Sequence, residues 1–142
     1  MPEDWMSTDL FKRFDPARWS ACTELLLRPI ESLDPIQRAA ALVLLYDGHV
    51  QNGGHTSHFD SQLAEHDDEL LKALKDMGAH KHAMILTEAR FLKRSAEQAT
   101  DDESDYYWES IEDLDRGYYR VRPDISDVLA DYFDANREHF PR

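Results

Sequence analysis

The chain has 142 residues, which suits one domain of common size and allows a sizeable core without disulfides or metals. Its 29 acidic residues outnumber 16 basic ones, for a net charge of −13, so the surface repels nucleic acid and anionic membrane, both of which are polyanions. One cysteine, Cys22, excludes an intramolecular disulfide and a cysteine-built zinc site within the chain; a small buried residue is expected there.

The N-terminal "MPEDWMSTDLFKRF" lacks the basic and apolar regions of a signal peptide, and no window approaches a membrane span. A cytoplasmic protein with no membrane contact is the expectation. Strand-type alternation is nearly absent and helical spacing recurs, which predicts an all-α fold of about six to eight helices in one domain. Residues 1–14 read as an extension.

In "DPARWSACTELLLRPIESL" Asp15 suits an N-cap and Pro16 the first helical position, with Pro29 ending or kinking the helix. Asp34 and Pro35 repeat the same start. Ile36, Ala39, Ala40, Leu42, Val43, Leu44, Leu45 and Val50 then make a helix apolar on most sides, expected at the centre of the core. It is expected to stop at Asn52-Gly53-Gly54.

A short His-rich segment follows. The next helix has Leu70, Leu71, Leu74 and Met77 inward and Gly78 at its end. "HKHAMILTEARFLKRSAEQA" predicts a helix with Ala83, Ile85, Leu86, Ala89 and Leu92 inward; His80 and His82 near its start read as structural. "TDDESD" reads as a polar connector. Tyr107, Ile111, Leu114 and Tyr118 mark the buried side of another helix that Pro123 breaks, and "DISDVLADYFDANREHF" forms the last one.

Charge concentrates late in the chain. Residues 101–142 carry 13 acidic and 5 basic side chains, a net −8 against −5 for the rest. Asp124, Asp127, Asp131, Asp134 and Glu138 are spaced 3, 4, 3 and 4, as a stripe along one helix face, and Asp105, Glu109 and Glu112 form a shorter one. At a rise of ~1.5 Å per residue the longer stripe spans ~21 Å with a charge every ~5 Å. Duplex DNA carries one charge per about 1.7 Å of axis, so one stripe is too sparse to imitate a duplex; two side by side, or a dimer, would be needed. Arg116, Arg120, Arg122 and Arg137 lie close enough in sequence to neutralise part of the field. An ordinary solvated acidic face is the plainer reading of the same pattern.

His55 and His58 are three apart, so on a helical turn both could face a metal, with His49, Asp60 or His66 completing the site. No HExxH-type motif accompanies them, and the preferred reading is that they replace aromatic side chains; no cofactor is expected. No phosphate loop or nucleophile elbow is present, so the chain reads as non-enzymatic.

The order of motifs is more specific than any of them alone. A helix ending in "VQNGG" precedes Phe59, then "ALKDMGAHKHAMILTEA", "LDRGYY" and "ADYFDANREHF". This order resembles the bacterial DNA-mimic-protein domain family, over roughly residues 35–140, with Asn52, Gly53, Gly54, Phe59 and Gly78 as its marks. The family usually follows Asn-Gly-Gly with Phe-x-Gln-Phe/Tyr-Phe. Here His55, Ser57 and His58 depart from that pattern and Phe59 keeps it.

The resemblance implies an all-α domain without enzymatic activity, whose acidic surface occupies a basic or DNA-binding protein partner and does not itself bind nucleic acid. Asp105, Glu109, Glu112, Asp124, Asp127, Asp131, Asp134 and Glu138 would carry that contact. An immunity or antitoxin protein that neutralises a basic toxin would use the same surface physics. A homodimer through an apolar helix face is compatible with either role.

Overall fold

The computed structural model describes Ser20 and residues 23–140. The expected features at residues 1–14, Asp15, Pro16 and Cys22 lie outside the described residues. The described part is all-α, with no strand among these residues. Five α-helices follow one another: α1 Pro35–Asp60, α2 Asp67–Asp76, α3 His80–Gln98, α4 Asp101–Arg120 and α5 Ile125–Ala135. Short 3₁₀ turns at Ile30–Ser32, Gln62–His66 and Arg137–His139 complete the path.

The start of α1 follows its sequence. The Asp34 carboxylate accepts from the Gln37 backbone N–H at 2.8 Å, and the Gln37 side chain accepts from Asp34 N–H, which makes a capping box ahead of Pro35. Gln37 also donates to the His139 carbonyl at 2.7 Å and ties the C-terminal turn to this end of α1. As its broad apolar face predicts, α1 is central. It buries Ala40, Ala41, Leu42, Val43, Tyr46 and Val50, and it packs against α2, α4 and α5.

Three boundaries differ from expectation. Asn52-Gly53-Gly54 does not end α1. The backbone leaves helical geometry at Gly53 (φ −158°, ψ 18°) and Gly54 (φ 74°, ψ −172°), then resumes through Asp60. The glycines supply a bend, and the second half of the helix survives because α4 caps it, as described below.

"TDDESD" is not a connector. Thr100 caps α4 through its hydroxyl and Glu103 N–H, and Asp101, Asp102 and Glu103 fill the first turn, where carboxylates favour the helix dipole. The last helix stops at Ala135, so Glu138 sits in the following 3₁₀ turn and the long acidic stripe ends at Asp134.

Gly78 does terminate its helix. With φ 85° it lets the Ala79 N–H reach back to the Leu74 carbonyl at 2.7 Å, closing α2 in a Schellman-type turn. The two residues Ala99 and Thr100 join α3 to α4 in the most extensive helix pairing of the molecule. The turn between α4 and α5 contains a cis Arg122–Pro123 bond.

Candidate protein-binding surface and the buried polar layer beneath it

The first two-thirds of α4 is an acidic rod. Asp101, Asp102, Glu103, Asp105, Glu109, Glu112 and Asp113 are all exposed. At about 100° per residue, all of them except Glu103 fall within an arc of about 120° that faces away from buried Ile111 and Tyr118. From Asp101 to Asp113 the helix rises ~18 Å, so these seven charges are ~3.0 Å apart on average along the axis. That density lies between one DNA strand (about one per 3.4 Å) and a duplex (about one per 1.7 Å). Arg116, ion-paired with Asp113, and exposed Arg120 limit the arc at its C-terminal end.

The predicted α5 stripe is less uniform. Asp131 and Asp134 are exposed, as is Glu138 beyond the helix. Asp124 is half-buried and is the N-cap, accepting from Asp127 N–H at 3.0 Å; Asp127 is half-buried too. The helix start thus takes two of the five acids, as cap and first-turn carboxylate. The densest array also includes Asp101, Asp102 and Glu103, whose segment reads as a connector, and Asp113, which neighbours Glu112 and stands four residues after Glu109.

Beneath α4 lies a layer of buried polar side chains that spacing did not reveal. His55, His58 and Tyr46 are each 0% exposed. Tyr46 Oη is 2.7 Å from His55 Nε2, and His55 Nδ1 is 2.6 Å from Asp115 Oδ1 on α4. Burial, before the charges of Asp47, Asp67 and Asp115, raises the Tyr46 phenol well above its usual range, so it stays protonated. The Asp115 carboxylate accepts, so His55 donates to it from Nδ1, and in that tautomer Nε2 accepts from the Tyr46 hydroxyl.

His58 Nε2 lies 2.7 Å from Asp67 Oδ1, and Arg90 of α3 approaches the other Asp67 oxygen at 3.6 Å. The Tyr118 hydroxyl donates to Asp47 at 2.6 Å; burial pushes the Tyr118 pKa up and also raises that of Asp47, against the pull of this bond.

The histidines also pack as aromatics. The Tyr46 ring meets His55, His58 and Tyr118 edge-on, with centroids 5.6, 5.0 and 5.7 Å apart. His55 and His58 thus fill aromatic positions of the core, as their sequence positions suggest, and both ring nitrogens of His55 are engaged by protein groups. His49 contacts His58 ring to ring at 6.4 Å, while His66 is only half-buried. Among the described residues, no group of three or more His, Cys, Asp or Glu side chains is arranged to hold a metal.

Gly54 joins the surface to this layer. The Asp115 carboxylate fits against its bare Cα, and the same Oδ1 that meets the His55 ring accepts the His55 backbone N–H at 2.9 Å. The family marks Gly53 and Gly54 therefore have a structural job: they open α1 so that α4 can seat a carboxylate in the gap. A family model for DMP19-like protein matches residues 31–136. The chain belongs to the DMP19-like protein family.

The span shared with the DMP19-like family holds the five helices α1–α5 but stops before the Arg137–His139 turn, so Glu138 lies beyond it. It includes Asn52, Gly53, Gly54, Phe59 and Gly78. No curated protein and no solved structure matches the chain. Among the described residues no helix is long and apolar enough to cross a membrane.

Proposed function

We propose that this DMP19-like protein is a non-enzymatic decoy, whose acidic α4 arc occupies the DNA-binding surface of a basic protein. The observation that carries this reading is the density of exposed carboxylates on α4, spaced on the scale of backbone phosphates and turned away from the core. Asp105, Glu109 and Glu112 form its centre. Asp131, Asp134 and Glu138 extend the field on the next element, while Asp124 and Asp127 act mainly on the start of α5. Family membership supports the same reading, since DNA mimicry is the role the family implies.

Acid facing base steers association and is screened by salt. The immobilised protein is expected to retain a DNA-binding protein at low salt and to release it steeply as salt rises. Reversing Asp105, Glu109 and Glu112 to lysine should abolish capture, with a smaller loss from Asp131 and Asp134. Undiminished capture by the triple α4 variant would overturn the proposal. Recovery of a toxic enzyme instead of a DNA-binding protein would favour the immunity reading.

A further inference from the structure

The bend in α1 creates two new helix ends within one helix, and α4 supplies a cap for each. On one side, Asp115 Oδ1 accepts the His55 N–H at 2.9 Å and the His55 Nδ1–H at 2.6 Å, as an N-cap borrowed from another helix. On the other side, the Tyr119 hydroxyl donates to the Val50 carbonyl at 2.8 Å. In an unbroken helix that carbonyl would pair with the N–H of Gly54. Asp115 and Tyr119 are four apart and so neighbours on one face of α4.

We infer that Asp115 and Tyr119 are positioning residues that lock α4 across the α1 break and so fix where its acidic arc points. The functional half of this inference rests on the decoy reading. The lock is keyed by Gly54, because a Cβ there would stand 2.3 Å from Asp115 Oδ2 and 2.8 Å from its Cγ. It lies just C-terminal to the acids, on the same rigid helix, so small rotations at the lock move every charge of the arc together. A pre-oriented array favours a rigid basic partner, whereas a flexible polycation can follow a wandering one.

The decisive pair is Asp115→Asn and Asp115→Ala, which remove the same charge. The asparagine keeps an acceptor oxygen at the lock and the alanine does not. Two measurements read them. In a Cys22→Ser background, nitroxides at Gly48→Cys on α1 and Glu103→Cys on α4 report helix placement. Binding is read with a stapled Arg/Ala helix as the rigid probe and with flexible oligo-arginine.

The expected result is a single narrow distance for the native lock and for Asp115→Asn, and a broadened one for Asp115→Ala. The alanine variant should bind the stapled helix about tenfold more weakly than the asparagine variant, the scale of one ordinary hydrogen bond. The two should bind oligo-arginine equally. An unchanged distance in Asp115→Ala, or equal binding of the stapled helix by the two variants, would overturn the lock.

If Asp115→Ala does not fold, Tyr119→Phe carries the test, since it removes only the Val50 cap; the same broadening supports the lock and a native distance overturns it. Failure of the native arc to bind either probe would contradict the decoy reading, and the distances would then decide the lock alone.

Discussion

Asp115 and Gly54 fit each other as key and keyhole: a carboxylate oxygen of one lies 2.3 Å from where a Cβ on the other would stand. Gly54 also has φ 74° and ψ −172°, a conformation essentially closed to other residues. Gly54→Ala is therefore expected to destabilise the fold by about 3 kcal/mol or more, from backbone strain and the displaced carboxylate together. Gly48, exposed within α1 with open space around its Cα, provides the contrast: Gly48→Ala should stabilise by up to about 1 kcal/mol. Urea unfolding of both variants checks the pair.

The His55 side chain does two jobs, packing as an aromatic and bridging Tyr46 to Asp115. His55→Phe keeps the first and removes the second, leaving a buried phenol and a largely buried carboxylate with fewer partners. A loss of about 1–3 kcal/mol is expected despite the gain in apolar surface. Thermal unfolding would show whether shape or hydrogen bonding governs this position; an unchanged or raised midpoint would mean shape.

His82 sets a pH dependence. It is 2% exposed, with its ring edge-on to Tyr118 at 5.1 Å. Burial lowers its pKa from 6.5 to about 4, against an opposing pull from Asp124. The unfolded chain then takes up this proton first, so the stability is complete above about pH 6.5 and falls as pH drops towards 4. The full effect is about 3 kcal/mol, at 1.36 kcal/mol per unit. The raised pKa of Asp47 works in the opposite sense as pH falls, because its protonation favours the folded state. Unfolding free energies measured across this range should slope for the native chain and lie flatter for His82→Phe.

The fold was legible where local chemistry decides it. Asp34-Pro35 announced α1, Gly78 closed α2, and the apolar runs placed α1 in the centre and Ile111 and Tyr118 inward. What was not legible depended on residues far apart in sequence. Asn52-Gly53-Gly54 reads as a stop, and only Asp115, sixty residues on, turns it into a bend.

The placement of the acidic side chains was half legible for a similar reason. Periodicity puts Asp105, Glu109 and Glu112 on one helix face, and the structure has all three exposed there. Asp124 and Asp127, named with them, are half-buried at the start of α5, and the helix ends at Ala135 before Glu138. Periodicity passed over the acids of "TDDESD" because a polar run looks like a loop until a cap and a helix dipole are seen to favour it. His55 and His58 could be placed as aromatic substitutes from the family pattern, but their partners Asp115 and Asp67 could not.

Competition for one surface tests the account most directly. A DNA-binding protein captured by this chain is titrated with duplex DNA carrying its own binding site, at fixed salt, and the complexes are resolved by size. A decoy is displaced in proportion to DNA bound, with no species containing both, and its Asp105, Glu109 and Glu112 charge-reversal variant captures nothing. A stable ternary complex of this chain, its partner and DNA would contradict the decoy reading.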